Sequence, residues 1–137
     1  MIQFDTRYFE RMAFTKTQVK KNFDNAAKDL RIAREDRISE VKFNYAYSAL
    51  IKAGIALISL YNQKIKSVPG HHAKIIETIA RILKDETVNT IGNVMRSKRN
   101  IDLYAGGVDI SEKESREYME FVGNVVARIK ELIFRPT

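Results

Sequence analysis

Between Arg96 and Tyr104 the chain sets three cations (Arg96, Lys98, Arg99), an amide (Asn100), a carboxylate (Asp102) and a phenol (Tyr104) within nine residues. Side chains of this mix on a rigid helix end can hold a phosphate or an RNA strand. The cations neutralise the anion, and the phenol can donate a hydrogen bond. Arg96, Lys98 and Arg99 are the candidate nucleic-acid contacts. Arg96 and Arg99, three apart, share a helix face, as do Asn100 and Tyr104, four apart. The competing reading is a solvated last helical turn whose cations complement the helix dipole.

Other residues offer less. His71 and His72 are the only histidines. Neighbours on a helix point about 100° apart, so they make a poor chelating pair, and a cap or surface role is expected. No Glu-x-x-His pattern supports a di-metal bundle site, and there is no cysteine, so no disulfide framework and no thiolate metal site. Neither a metal nor a cofactor is expected. Tyr45, Tyr47 and Tyr61 fall in apolar patterns and read as core or interface. Lys16 to Arg37 is rich in bases but interleaved with Asp24, Asp29, Glu35 and Asp36, which reads as a salt-laced solvent face.

The elements that must position the polar segment are helical. Helix one is expected over about Thr17 to Arg34, with Val19, Phe23, Ala26, Leu30 and Ala33 in one stripe and Thr17 as cap. The longest helix runs from about Ser39 to Ile65. Its stripe is Phe43, Tyr47, Leu50, Ile51, Gly54, Ile58, Tyr61 and Ile65, widened by Ala46, Ala49, Ala53, Leu57 and Leu60. So wide an apolar surface belongs at the centre, and Gly54 would admit a close neighbour. A third helix spans about His72 to Leu83. Asp85 caps a fourth, with Val88, Ile91, Val94 and Met95 inward and Gly106-Gly107 beyond its end. Ser111-x-x-Glu114 fits a capping box for the fifth, whose stripe runs from Tyr118 to Ile133.

Short connections between five such helices imply an all-α antiparallel bundle. The first sixteen residues show no clear pattern. Phe4, Tyr8, Phe9, Met12 and Phe14 form an aromatic-rich N-terminal arm that lies against the bundle or a second subunit. At 137 residues, 45% hydrophobic and 30% charged, the chain reads as one globular domain, residues 1–137. The net charge of +7 favours anionic partners. The start lacks a charged and then apolar leader, and the longest apolar stretch is broken by Lys52 and reads as too short for a membrane span. A cytoplasmic protein is the simplest inference.

Over residues 17–134 the chain resembles the HEPN domains, helical bundles of which many are RNases. The resemblance rests on Asn44-Tyr45-Ala46-Tyr47-Ser48-Ala49 in a long helix, the loop before His71-His72, Arg99-Asn100 late in the fourth helix, and an apolar last helix. It implies a homodimer whose two polar motifs meet at a cleft, with RNA or a nucleotide as ligand. It also implies, in toxin–antitoxin members, a small nucleotidyltransferase antitoxin as partner. The family's nuclease motif is arginine, a polar residue, three or more residues, then histidine. Arg99 and Asn100 match. Tyr104 stands where the histidine belongs, five after Arg99. Arg99, Asn100 and Tyr104 are therefore the catalytic candidates. A phenol with pKa near 10 is only about one part in a thousand ionised at pH 7, so endoribonuclease activity is expected to be weak or lost. The family's modified tyrosine would fall at Gly106 and does not carry over.

Two rival classes stand beside this reading. One is a non-catalytic dimeric interaction module that binds a partner protein. The other is a helix-turn-helix DNA binder built from residues 72–83 and 86–99. Its recognition helix would start Glu86-Thr87-Val88-Asn89-Thr90, with the cations at the wrong end.

Overall fold

The computed structural model describes residues 2–105 and 109–136, the side chains of residues 101–105 excepted. Five helices carry the described chain: α1 (Lys16–Glu35), α2 (Ser39–Leu60), α3 (His71–Leu83), α4 (Glu86–Ala105) and α5 (Glu112–Ile133). They form the expected all-α bundle. Two three-residue strands, β1 (Phe9–Arg11) and β2 (Gln63–Ile65), pair antiparallel with Phe9 opposite Ile65.

Side-chain contacts fix how the helices run. Asn22 meets Ser59 while Asp29 meets Ser48, so α1 and α2 are antiparallel. Lys98 meets Glu114 and Asp85 meets Arg128, so α4 and α5 are antiparallel as well. α3 differs. Tyr47 meets His72, and Gly54 lies against Ile75 and Ile79, so α3 runs alongside α2 in the same sense. This follows from the way the chain leaves α2, which ends at Leu60 rather than at Ile65. Asn62 turns it with φ of 57°, a conformation asparagine tolerates well. The next residues then return extended, as β2, to the level of Tyr47.

That return strand corrects the expected length of helix two and gives the N-terminal arm its place. Phe9 is buried on the core, with Phe4, Tyr8 and Phe14 packed beside it. Phe4 meets Phe9 edge-on with ring centres 5.0 Å apart. Among the described residues of the arm, Met12 alone of the large apolar side chains is exposed. A three-residue pair has too few bonds to persist alone, so burial of Phe9 anchors the strand.

Helix starts follow capping chemistry. Thr15, not Thr17, caps α1: its Oγ1 accepts from the Gln18 amide at 3.1 Å, and Gln18 Oε1 accepts from the Thr15 amide at 2.8 Å. Ser111 and Glu114 form the expected reciprocal pair at α5.

The core is centred on α2, with Phe43, Leu50, Leu57 and Ile58 almost fully buried and facing Ile75, Ile79, Val122 and Ile129 from other helices. Each such side chain contributes roughly 1.5–3 kcal/mol. By length and composition alone α2, at 22 residues, could cross a bilayer, contrary to the expectation from its interruption at Lys52. Here 67% of its apolar window is buried by the other elements, the condition of a core helix. Some expected core positions lie outside: Tyr61 sits past the helix end and Val94 on the outer face of α4, both exposed. Asp29, assigned above to a solvated face, is buried. Its carboxylate accepts from Ser48 Oγ at 2.6 Å and pairs with Lys52 Nζ at 2.8 Å, which satisfies it.

Candidate functional site

Three elements meet where α3 begins: the middle of α2, the turn of residues 67–70, and the last part of α4. Gly70 takes φ of 81°, a left-handed step that glycine makes at no steric cost, and it starts α3. The two histidines of the first turn then go different ways. The His71 amide and His71 Nδ1 both approach the Val68 carbonyl, at 3.1 and 2.9 Å. A carbonyl only accepts, so His71 Nδ1 carries the proton and closes the turn. That is the capping role expected from sequence. His72 turns towards α2, where its Nδ1 lies 3.1 Å from Tyr47 Oη. Tyr47 is buried, as expected, but its hydroxyl reaches a polar site.

α4 supplies the cations. Arg96 and Asn100, four apart, line a cavity of about 400 Å3 together with residues 67–73, His71 and His72 among them. Arg96 is aimed by a ladder of amides: its Nε donates to Asn93 Oδ1 at 3.1 Å, and Asn93 Nδ2 donates to Asn89 O at 2.8 Å. Arg99 is half-buried, and its charge is felt by both Tyr47 and His72. Among the described residues, no carboxylate pairs with Arg96 or Arg99.

The electrostatics follow from that geometry. Burial pushes the Tyr47 phenol up to about 12, although the two guanidiniums oppose this. It therefore stays a phenol at neutral pH. Burial also pushes the His72 imidazole below its ordinary 6.5, and His71, Arg99 and Arg96 add to the shift by repulsion. His72 is thus a neutral imidazole beside two guanidiniums that no carboxylate pairs with among the described residues. One turn earlier on α2, Asn44 has a buried Oδ1 with no hydrogen-bond partner.

The structure brings Arg96 and Asn100 to one cavity, keeps Arg99 off its lining but near enough for its charge to bear on Tyr47 and His72, and sets Lys98 apart. Lys98 faces α5, where its Nζ bonds Glu114 Oε2 at 2.8 Å and lies 5.8 Å from the Tyr118 ring centre. That bond raises the Lys98 pKa and lowers that of Glu114. Two positions on, α-helical geometry has turned a side chain by about 200°, so Lys98 cannot share the face of Arg96. The Tyr104 side chain and Gly106 lie outside the described residues.

A larger cavity, about 570 Å3, lies where the start of α1, the end of α2 and the chain's C-terminal residues meet. Phe14, Leu60, Leu132 and Phe134 line it, with Lys20 and Arg135 on its rim. Its described lining holds neither imidazole nor carboxylate. Among the described residues, no group of three or more histidines and carboxylates could hold a metal ion.

His72 and Tyr47 are what the sequence reading missed as a pair. The available signal was Ser67-Val68-Pro69-Gly70, a turn that resets chain direction immediately before the histidines. Scanned against protein-family models, curated proteins and solved structures, the chain matches none.

Proposed function

We propose that this chain is a HEPN-like protein that binds the phosphates of single-stranded RNA, or of a nucleotide, in the cavity between residues 67–73 and α4. The observation that carries this is a cavity lined by Arg96, Asn100 and His72, with the charge of Arg99 bearing on Tyr47 and His72 behind it and no described carboxylate paired with either arginine. A guanidinium that no carboxylate pairs with among the described residues is open to an external anion, and its fork matches phosphate geometry. The net charge of +7 adds a general attraction.

Binding to a labelled single-stranded RNA across a salt series tests this. Two neutralised phosphates give a slope of about −1.4 in log K against log salt, and Arg99→Ala should remove about 0.7 of it. Arg96→Ala should behave likewise. Lys98→Ala should leave affinity and slope close to wild type, because its ammonium is held by Glu114. Equal losses from Lys98→Ala and Arg99→Ala would mean diffuse surface charge and no site.

The reading includes the homodimer that the resemblance implies. Exposed Met12, Leu60, Tyr61 and Phe134 supply apolar surface for it. A monomeric mass by light scattering at micromolar concentration would remove the dimer and leave the phosphate site to be judged by itself. The helix-turn-helix alternative loses ground. α3 and α4 pack along their lengths, from Ile76 against Gly92 to residues 71–73 beside Arg96 and Asn100. A DNA-reading pair crosses at a steep angle instead.

A further inference from the structure

We propose that His72, oriented by Tyr47, is the base of a metal-independent RNA cleavage in this cavity, taking the place of the histidine that the α4 segment lacks. The inference rests on the phosphate-binding reading above. Three observations support it.

His72 lines the same cavity as Arg96 and Asn100, although it comes from a different helix. Its Nδ1 is engaged by Tyr47 Oη at 3.1 Å. Nε2, on the far edge of the ring, is then the nitrogen left for a ligand. A base needs a lone pair there, so Nδ1 must carry the proton and donate to Tyr47 Oη. Among the described residues, the charged and titratable groups that bear on His72 are Tyr47 on α2, His71 on α3, and Arg96 and Arg99 on α4. Burial, with the repulsion of these cations and with no carboxylate among these described groups, holds the imidazole neutral, the form that accepts a proton.

The reaction balances without a co-reactant. The 2′-hydroxyl gives its proton to His72 Nε2 as its oxygen bonds the adjacent phosphorus. The bond from phosphorus to the 5′-oxygen breaks, and the leaving oxygen takes a proton from water. The resulting hydroxide recovers the proton from the imidazolium. The products are a 2′,3′-cyclic phosphate and a 5′-hydroxyl. Arg96 and Arg99 hold the phosphate oxygens as charge builds on them. Tyr47 is a positioning residue: it fixes the ring and its tautomer and does not touch the RNA.

The test uses end-labelled single-stranded RNA with a chelator, and each protein is assayed for binding and cleavage in parallel. Wild type should yield 2′,3′-cyclic ends, with a rate that rises with pH and levels off below the ordinary histidine value of 6.5. His72→Gln should cleave at least about 100-fold more slowly while binding RNA within a few-fold of wild type. Arg99→Ala should lose both and controls for contaminating nuclease. Tyr47→Phe, a safeguard should His72→Gln misfold, should keep binding but move the midpoint of the pH–rate curve. Wild type that binds RNA and leaves it intact overturns the inference and spares the binding site. Wild type that does not bind overturns both. Cleavage by a folded His72→Gln at the wild-type rate assigns the base elsewhere.

Discussion

Tyr47 Oη and His72 Nδ1 lie 3.1 Å apart across 25 residues of sequence. Between them the chain finishes α2, turns at Asn62, pairs as β2 with the N-terminal arm, turns again at Gly70 and enters α3. The contact exists because that excursion returns to its own level. A core tyrosine and a helix-start histidine therefore become parts of one polar site.

The arm should matter for the site as well as for the fold. The Tyr8 carbonyl accepts from the Lys66 amide at 2.7 Å, and Lys66 Nζ donates to the Thr6 carbonyl at 2.7 Å, so the arm braces the chain just before the cavity-lining turn. Phe9→Ala removes the buried anchor of that brace. Chemical denaturation should show a loss of about 3–5 kcal/mol, the usual result of truncating a buried phenylalanine. A loss below about 1 kcal/mol would mean that the arm is not integral to the bundle.

Stability should fall on mild acidification because of His72. Its folded-state pKa lies below the unfolded value of 6.5, so the unfolded chain binds the extra proton first. The contribution is complete above 6.5 and is lost as pH falls through the lower, folded value. The depressed carboxylates, Asp85 and Glu114, act the same way only in a more acidic range. Urea midpoints measured between about pH 7.5 and 5.5 should therefore decline in wild type, and His72→Gln should flatten the decline. An equal decline in both proteins would place its cause elsewhere.

Gly54 is where α2 and α3 come closest. A Cβ there would collide with Ile75 Cγ2 and lie 2.8 Å from Ile79 Cδ1, both on a helix packed against others. Alanine gains about 1 kcal/mol of helix propensity, but overpacking costs typically 1–3 kcal/mol. Gly54→Ala should therefore be net destabilising in a urea titration. It should also disturb the Tyr47–His72 contact, since α3 must shift. A more stable Gly54→Ala protein would contradict the packing.

Much of this molecule was legible in its sequence. Five helices, the Ser111–Glu114 capping box, the central place of α2 and the close approach at Gly54 all follow from local periodicity and capping, which depend on neighbours a few residues away. The end of α2 was not legible. Tyr61 and Ile65 continue its apolar spacing, and only pairing with a strand more than fifty residues earlier makes Gln63–Ile65 extended. At the candidate site, Arg96, Arg99 and Asn100 were visible as a cluster because they share one helix. His72 was not, because its partner Tyr47 lies on another helix and the two adjacent histidines differ only in which neighbour each one reaches. Lys98 had the right charge, but its bond to Glu114 required knowing where α5 packs.

The central claim is that a phosphate settles beside His72, Arg96 and Arg99. Titration of the His72 ring by NMR, alone and with saturating single-stranded RNA that carries an unreactive 2′-deoxy linkage, tests it most directly. An anion held by the two guanidiniums would offset their repulsion of an imidazolium, so the His72 pKa should rise from its depressed value when RNA is bound. Arg99→Ala should abolish most of that rise, and Lys98→Ala should leave it intact. A His72 titration unchanged by RNA that demonstrably binds would place the ligand elsewhere on the protein and contradict the account.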